Sequence, residues 1–165
     1  MALISNIESF DKYGNLLPYE LLKFTENNAY NILVESFNPS SHRKELWDKL
    51  NRYRNDMCAF LGANAEQWID GSYVTTKELP KDIDIVTYIN IDDFVMNLNE
   101  FKRFTTVGGS KKLYGIDGYI VPLFNKNDPR YVSITKDRID YWKNWFGHDR
   151  DNNPKGIVVL ELPCS

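Results

Sequence analysis

The sequence predicts a single α/β (α+β) domain, and three observations lead to that class. The chain has 165 residues, enough to bury one core, and 42% of them are hydrophobic. Short apolar runs typical of strands alternate with amphipathic helical patterns. No apolar run approaches the length of a membrane span, and the first residues lack the basic start and apolar segment of a secretory signal.

Residues 1–40 have the least regular pattern, and we expect them to form an N-terminal arm packed on the domain. Residues 41–165 are expected to form the compact domain itself. Its first helix should begin at Ser40-Ser41 and end before Gly62, because apolar residues recur at spacings of three and four. The basic residues of this helix are expected to line its solvated outer side; they are Arg43, Lys44, Lys49, Arg52 and Arg54.

The rest of the domain is predicted to add strands and two more helices. Apolar runs bounded by turn residues predict strands at 67–70, 83–89, 113–123 and 156–162. Helical patterns predict helices from Asp92 to about Phe101 and from Ser133 to Phe146. Residues 106–112 contain two glycines and two lysines without the spacing of a P-loop. We expect this segment to be a flexible connection.

Charge and cysteine content limit the class of protein. The net charge of −3 argues against generic binding to nucleic acid. Residues 61–100 carry eight acidic and two basic side chains, whereas residues 101–165 carry seven acidic and eleven basic ones. A nucleotide held between the two parts would suit this distribution, and scattered surface charge is the alternative. Cys58 and Cys164 lack metal-like spacing, so a reducing, cytoplasmic location is expected.

Asp82 and Asp84 are the strongest candidates for a metal site. They lie two apart at the start of a predicted strand, so their side chains leave the sheet on the same side. Two close carboxylates resist joint ionisation unless a cation lies between them. Carboxylate oxygens are hard ligands, which favours Mg²⁺ or Mn²⁺. The alternative is that both belong to the wet face of an amphipathic strand.

Gly71 and Ser72 form a turn that precedes this strand and is a candidate phosphate site. Glycine lets the backbone approach a ligand closely, and consecutive N–H groups in such a turn bind anions. Lys77 and Lys81 are close enough in sequence to assist in binding a nucleotide. A phosphate-binding turn beside a dicarboxylate metal site indicates a nucleoside triphosphate.

Asp117 is a third candidate metal ligand. It lies in the middle of the strand predicted at 113–123, between apolar neighbours. An acid in that setting is costly unless it is paired or bound to a metal. The alternative is an edge strand on which Asp117 faces water.

This arrangement resembles the signature of the nucleotidyltransferase superfamily, the polymerase-β-like fold that includes the minimal nucleotidyltransferases. The shared features are a strand, a Gly-Ser turn, a loop of about ten residues and an apolar strand bearing Asp-x-Asp. The resemblance implies a mixed sheet of about four to five strands flanked by helices. It also implies that Gly71 and Ser72 hold the nucleotide phosphates, and that Asp82, Asp84 and Asp117 are the catalytic, metal-binding acids.

Further segments are similar to a small bacterial family of poorly characterised function, whose relatives often act in toxin–antitoxin or phage-defence loci. These segments are Gly-Asn-Leu-Leu-Pro at 14–18, Ser-Ser-His-Arg at 40–43, Pro-Lys-Asp-Ile-Asp at 80–84 and Pro-Lys-Gly-Ile-Val at 154–158. The resemblance implies transfer of a nucleoside monophosphate, with ATP as the expected donor, to an acceptor hydroxyl. It further implies a partner protein from the same locus, and it is compatible with a homo-oligomer.

Two other functions remain open at the level of sequence. The fold could serve as a non-catalytic interaction module, a toxin or antitoxin component, because fold alone does not give function. It could also modify RNA ends. A protein hydroxyl is the preferred acceptor, since an acidic chain without an RNA-binding signature offers few phosphate contacts.

Overall fold

The computed structural model describes residues 9–37 and 41–164. Its centre is a mixed sheet whose strands are β1 (Leu21–Lys23), β2 (Ala65–Asp70), β3 (Ile83–Asn90), β4 (Ile116–Leu123) and β5 (Ile157–Leu162). The strand order is β1-β5-β2-β3-β4. Because helices flank this five-stranded sheet, the predicted α/β (α+β) class is confirmed.

Six α-helices connect or cover the strands in the described part of the chain. They are α1 (Glu26–Tyr30), α2 (Ser41–Cys58), α3 (Ile91–Met96), α4 (Leu98–Phe101), α5 (Ser110–Tyr114) and α6 (Asp137–Phe146). Short 3-10 turns occur at Ser72–Val74 and Lys102–Phe104, and π-helical turns at Asn31–Glu35 and Tyr131–Lys136. None of the described helices has the length and apolarity needed to cross a membrane.

Strand pairing brings the candidate acids to neighbouring positions. β2 is antiparallel to both β3 and β5, whereas β3 is parallel to β4, and β1 is parallel to β5. In this register Asp84 lies opposite Asp70 of β2 and opposite Asp117 of β4. Paired residues point to the same face of a sheet, so all three side chains leave the same face.

The two faces of the sheet bury different cores. On one face α2 packs Leu50, Tyr53 and Met57 against strand residues such as Ile69 and Ile85. On the other face α6 packs Trp142 and Phe146 against side chains that include Trp68, Val86 and Val159. Alternation along β3 puts Asp84 on the same face as Val86, which is the face covered by α6.

The N-terminal residues that the structure describes take part in the sheet. β1 pairs with β5, and Leu16, Ala29 and Leu33 are buried in the core under α2. Residues 1–8 and 38–40 of the expected arm lie outside the described residues. Residues 9–37 therefore contribute one edge strand and part of the main core.

The prediction that the basic residues of α2 line its solvated outer side is wrong for two arginines. Arg43 and Arg54 are 0% and 2% exposed. Arg54 donates to the side chain of Gln67 at 2.6 Å and forms an ion pair with Glu26 at 2.7 Å. Buried charges of this kind persist only where they are paired and hydrogen-bonded, and the contact with Gln67 links α2 to β2 of the sheet.

Two other details differ from the sequence-based expectation. β4 begins at Ile116 rather than Leu113, because residues 110–114 form α5 and Gly115 ends it with φ +70°. Cys58 and Cys164 are joined by a disulfide, which links the end of α2 to the residues after β5. Disulfides are typical of oxidising compartments, whereas the spacing of the two cysteines led us to expect a reducing one.

Candidate functional site

Three carboxylates meet where β3 and β4 begin. Asp82, Asp84 and Asp117 each offer one oxygen, and these oxygens lie within 4.8 Å of one another. All three side chains are half-buried. The structure thus brings together the three acids that the sequence singled out, and we call them the acidic triad.

Asp84 is the most perturbed member of the acidic triad. Burial raises its pKa to about 6, and the neighbouring charges of Asp82 and Asp117 add to the shift. Both causes disfavour the ionised carboxylate unless a positive charge is close. A positive charge close to Asp84 would therefore favour its ionised form.

Gly71 follows β2 directly and lies against Asp84. Its φ is +82°, a conformation that side-chain-bearing residues rarely adopt, and a Cβ there would overlap Oδ2 of Asp84. Ser72 begins the 3-10 turn that follows, and the Thr75 hydroxyl donates to the Ser72 carbonyl at 2.7 Å. The Gly-Ser turn predicted to bind phosphate is thus adjacent to the acidic triad.

The segment after this turn is fixed by Arg43 of α2. The Arg43 guanidinium donates to the carbonyls of Tyr73, Thr75 and Lys77 at 2.8, 2.7 and 2.6 Å. It also donates to the carbonyl of Leu33 at 2.9 Å. A planar guanidinium suits several acceptors at once, so Arg43 holds the loop between β2 and β3 in one path.

Lys111 of α5 is a site residue that the sequence analysis missed. Its Nζ lies 3.1 Å from Oδ2 of Asp82 and 3.2 Å from Oδ2 of Asp117. Hydrogen bonds to Asp82 and then to Asp117 raise the pKa of Lys111. The expectation that residues 106–112 are only a flexible connection is wrong, since Lys111 and the hydroxyl of Thr106 both contact Asp117. The sequence showed Lys111 and Lys112 side by side, but it did not indicate that either side chain points toward the acidic triad.

A buried ion pair lies beside Asp84 and was also not predicted. Lys155 Nζ is 2.5 Å from Oδ1 of Asp70, and both side chains are almost fully buried. The same oxygen accepts the backbone N–H of Gly71 at 2.8 Å. Burial raises the pKa of Asp70 to about 7, against the opposing effect of Lys155. The pair joins the segment that precedes β5 to the end of β2, next to the Gly-Ser turn.

Lys77 and Lys81, which were expected to assist in binding a nucleotide, lie on the loop between β2 and β3. Both are exposed. Within residues 9–37 and 41–164, Lys111 rather than either of them forms ion pairs with the acidic triad. The Lys77 contact with the site is made by its backbone carbonyl, which accepts from Arg43.

The donor set fits a hard divalent cation. Three carboxylates on two neighbouring strands offer only oxygen ligands, as Mg²⁺ and Mn²⁺ prefer. The ammonium of Lys111 stands between two of these carboxylates, in the position of a cation. The absence of a side chain at Gly71 lets the backbone of the Gly-Ser turn lie directly against Asp84 Oδ2.

Comparison with known proteins gives one match. A family model described as a family of unknown function, DUF6932, matches residues 8–161. No curated protein and no solved structure matches the chain. Because the family model spans nearly all of the sequence, the chain belongs to the DUF6932 family.

Proposed function

We propose that this protein is a metal-dependent nucleotidyltransferase, which moves a nucleoside monophosphate from a triphosphate onto an acceptor hydroxyl. The observation that carries the proposal is the acidic triad, with its oxygens within 4.8 Å, beside the Gly71-Ser72 turn. A phosphate-binding turn next to a divalent metal site would suit a nucleotide, because nucleotides bind to proteins together with a metal ion on their phosphates.

The finer fold assignment, a nucleotidyltransferase fold, is part of this proposal. Support comes from the order of the chemical groups along the sheet. The Gly-Ser turn follows β2, the Asp-x-Asp pair opens β3, and the third acid lies on β4 beside it. This order is the one that the sequence resemblance implies.

The proposed reaction forms one bond and breaks one. The acceptor oxygen bonds to the α-phosphorus, the bond from that phosphorus to the bridging oxygen breaks, pyrophosphate leaves, and the hydroxyl proton passes to solvent. Asp82, Asp84 and Asp117 would hold Mg²⁺ or Mn²⁺, which would supply positive charge to lower the pKa of the attacking hydroxyl and to neutralise the leaving group. The Gly71-Ser72 turn would bind the β- and γ-phosphates of the donor, for which ATP is the expected nucleotide. Ser72 would contact the phosphates, because the Gly71 N–H donates to Asp70 and Gly71 serves to bring the backbone close.

Residues around the acidic triad would position it. The Arg43 contacts keep residues 73–77 in place after the Gly-Ser turn. The buried Asp70–Lys155 pair fixes the end of β2, since Asp70 accepts from the backbone of Gly71. Chemistry of this type depends on positioning and charge neutralisation, so these contacts matter even though they touch no reacting atom.

A protein hydroxyl is the proposed acceptor. A cleft of about 380 Å³ lies beside Asp117, along β4, and its lining includes Thr106, Tyr119 and Trp142. Nearby on the π-helical turn and α6, Val132, Tyr141 and Trp145 are largely exposed. Exposed aromatic and apolar side chains are typical of protein contacts, whereas an RNA chain would require a row of basic residues. A partner encoded in the same locus, of the toxin–antitoxin or phage-defence kind, is the proposed source of that hydroxyl.

The test is a transfer assay with each α-labelled triphosphate, Mg²⁺, a co-encoded protein and total RNA. We expect label on protein, and we expect Asp82→Asn to abolish it. Asp140→Asn is a matched control, because Asp140 is exposed on α6 and pairs only with Lys136 in the described structure. Label on RNA that depends on Asp82 would change the acceptor and keep the mechanism. Tight binding of the partner without any transfer would favour the interaction module instead.

A further inference from the structure

Lys111 places a positive charge where the proposed site requires a metal ion. Its Nζ lies 3.1 Å from Asp82 and 3.2 Å from Asp117, so one ammonium neutralises two members of the acidic triad. Mg²⁺ bound to the same two oxygens would lie about 2 Å from each of them. An ammonium and a divalent ion would then be far too close, so the two cations exclude each other.

The backbone that carries Lys111 is fixed, whereas its side chain is more than half exposed. Ser110 is buried, and its hydroxyl donates to the Ile116 carbonyl at 2.7 Å. At the other end of α5, the Tyr114 hydroxyl donates to Asp56 at 2.7 Å. The Lys111 side chain is 58% exposed. The ammonium can therefore move away from the carboxylates without any change in the helix.

We propose that Lys111 is the resident cation of the metal-free protein and that it couples metal binding to nucleotide binding. The ammonium pairs with Asp82 and Asp117 until a divalent ion takes its place. When a triphosphate arrives with the ion, the displaced ammonium pairs with phosphate oxygens instead. Metal alone then binds weakly, because it must displace Lys111, and metal with nucleotide binds well. This inference rests on the proposed metal site and concerns the order in which that site fills.

The first test is a titration of Mn²⁺ into the full chain without nucleotide, with free Mn²⁺ followed by electron paramagnetic resonance. Lys111→Met should bind Mn²⁺ about three- to thirtyfold more tightly than the wild type, the range expected when two half-exposed ion pairs no longer compete. Lys112→Met is the matched control. It removes the same charge from the next residue of α5, an exposed side chain with no ion pair among the described residues, and it should leave the affinity within about twofold.

The second test repeats the titration with a non-hydrolysable ATP analogue. The analogue should raise the Mn²⁺ affinity of the wild type and of Lys112→Met by a larger factor than that of Lys111→Met. Lys111→Arg keeps the charge, so it should bind Mn²⁺ alone as weakly as the wild type does.

The outcomes separate this inference from the proposed function. If wild type, Lys111→Met and Lys112→Met bind Mn²⁺ equally well, Lys111 does not compete with the metal, and the metal site itself still stands. If Lys111→Met binds Mn²⁺ less tightly, the inference is overturned as well. If none of the variants binds Mn²⁺ and the analogue also fails to bind, both the inference and the proposed function are wrong.

Discussion

At the scale of single residues, the candidate site depends on charges that are unfavourable without a cation. Asp84 lies half-buried between two other carboxylates, and its pKa is raised to about 6. Lys111 relieves part of this repulsion by pairing with Asp82 and Asp117. The folded protein therefore retains the acidic triad at a cost in stability, a pattern that is common at functional sites.

The unfavourable ionisation of Asp84 in the folded protein predicts how the free energy of unfolding depends on pH. Its folded-state pKa of about 6 exceeds the unfolded value of about 4, so the folded protein binds this proton more tightly. The resulting stabilisation is present below about pH 4 and is lost as the pH rises through 6. Relative to wild type, metal-free Asp84→Asn should gain about 1–3 kcal/mol in its free energy of unfolding at pH 7.5, and much less at pH 4.

Urea unfolding of both proteins in EDTA at the two pH values measures this difference. Equal destabilisation of the variant at both values would mean that Asp84 supports the fold rather than a ligand.

Gly71 gives a second prediction at this scale. Gly71→Ala should weaken Mn²⁺ binding strongly, because the new Cβ would overlap Asp84 Oδ2 and displace that carboxylate. The positive φ of +82° should also cost about 1–2 kcal/mol of stability. Gly109→Ala is the control. Gly109 has a φ of +98° with no atom within 4 Å of an added Cβ, so it should suffer the backbone strain and still bind metal. Similar Mn²⁺ affinity in the two variants would show that Gly71 does not support the metal site.

At the scale of secondary-structure elements, helix α2 and the loop between β2 and β3 form one unit. Arg43 is fully buried on α2 and donates to three carbonyls of that loop and to one of the preceding π-helical turn. Its guanidinium also lies 3.7 Å from the ring centroid of Phe37. The loop that follows the Gly-Ser turn is thus held by the Arg43 side chain, in addition to a short β-bridge between Thr75 and Asn15.

Replacement of this arginine should be costly. Arg43→Lys keeps the charge and loses the planar fork, so several buried carbonyls would lose their donor. We expect a loss of about 2–4 kcal/mol in the free energy of unfolding, measured by chemical denaturation. Arg52→Lys, the same substitution at an exposed position of α2, should change stability by less than about 0.5 kcal/mol. Equal effects of the two substitutions would contradict the role assigned to Arg43.

The elements also show which parts of the molecule the sequence could predict. Apolar periodicity located α2, β3, β5 and α6 to within a few residues, because periodicity reports the face that an element buries. It could not report that Arg43 and Arg54 are buried, since their partners belong to distant segments. The acidic triad could be identified from the sequence because its members lie in, or next to, the apolar runs that form β3 and β4. Lys111 and the Asp70–Lys155 pair were not, because their contacts depend on how the strands are ordered in the sheet.

At the scale of the whole molecule, the disulfide joins the main helix to the end of the chain. Cys58 is the last residue of α2, and Cys164 follows β5. A thiol reagent should find no free thiol in the native protein purified without reductant. Reduction should lower the free energy of unfolding by about 2–4 kcal/mol, with the Cys58→Ser/Cys164→Ser variant insensitive to reductant. Two titratable thiols in the native, unreduced protein would contradict this bond.

The central claim is that the acidic triad and the Gly-Ser turn together bind a metal–nucleotide complex. The most direct measurement is thermal unfolding of the wild type and Asp82→Asn with each nucleoside triphosphate, in Mg²⁺ and in EDTA. For the wild type in Mg²⁺, at least one triphosphate at about 100 times its dissociation constant should add roughly 2.7 kcal/mol of stability. The wild type in EDTA should not show this gain, and neither should the Asp82→Asn variant in Mg²⁺. A melting temperature that no triphosphate raises in Mg²⁺, or that rises equally in EDTA, would contradict the claim.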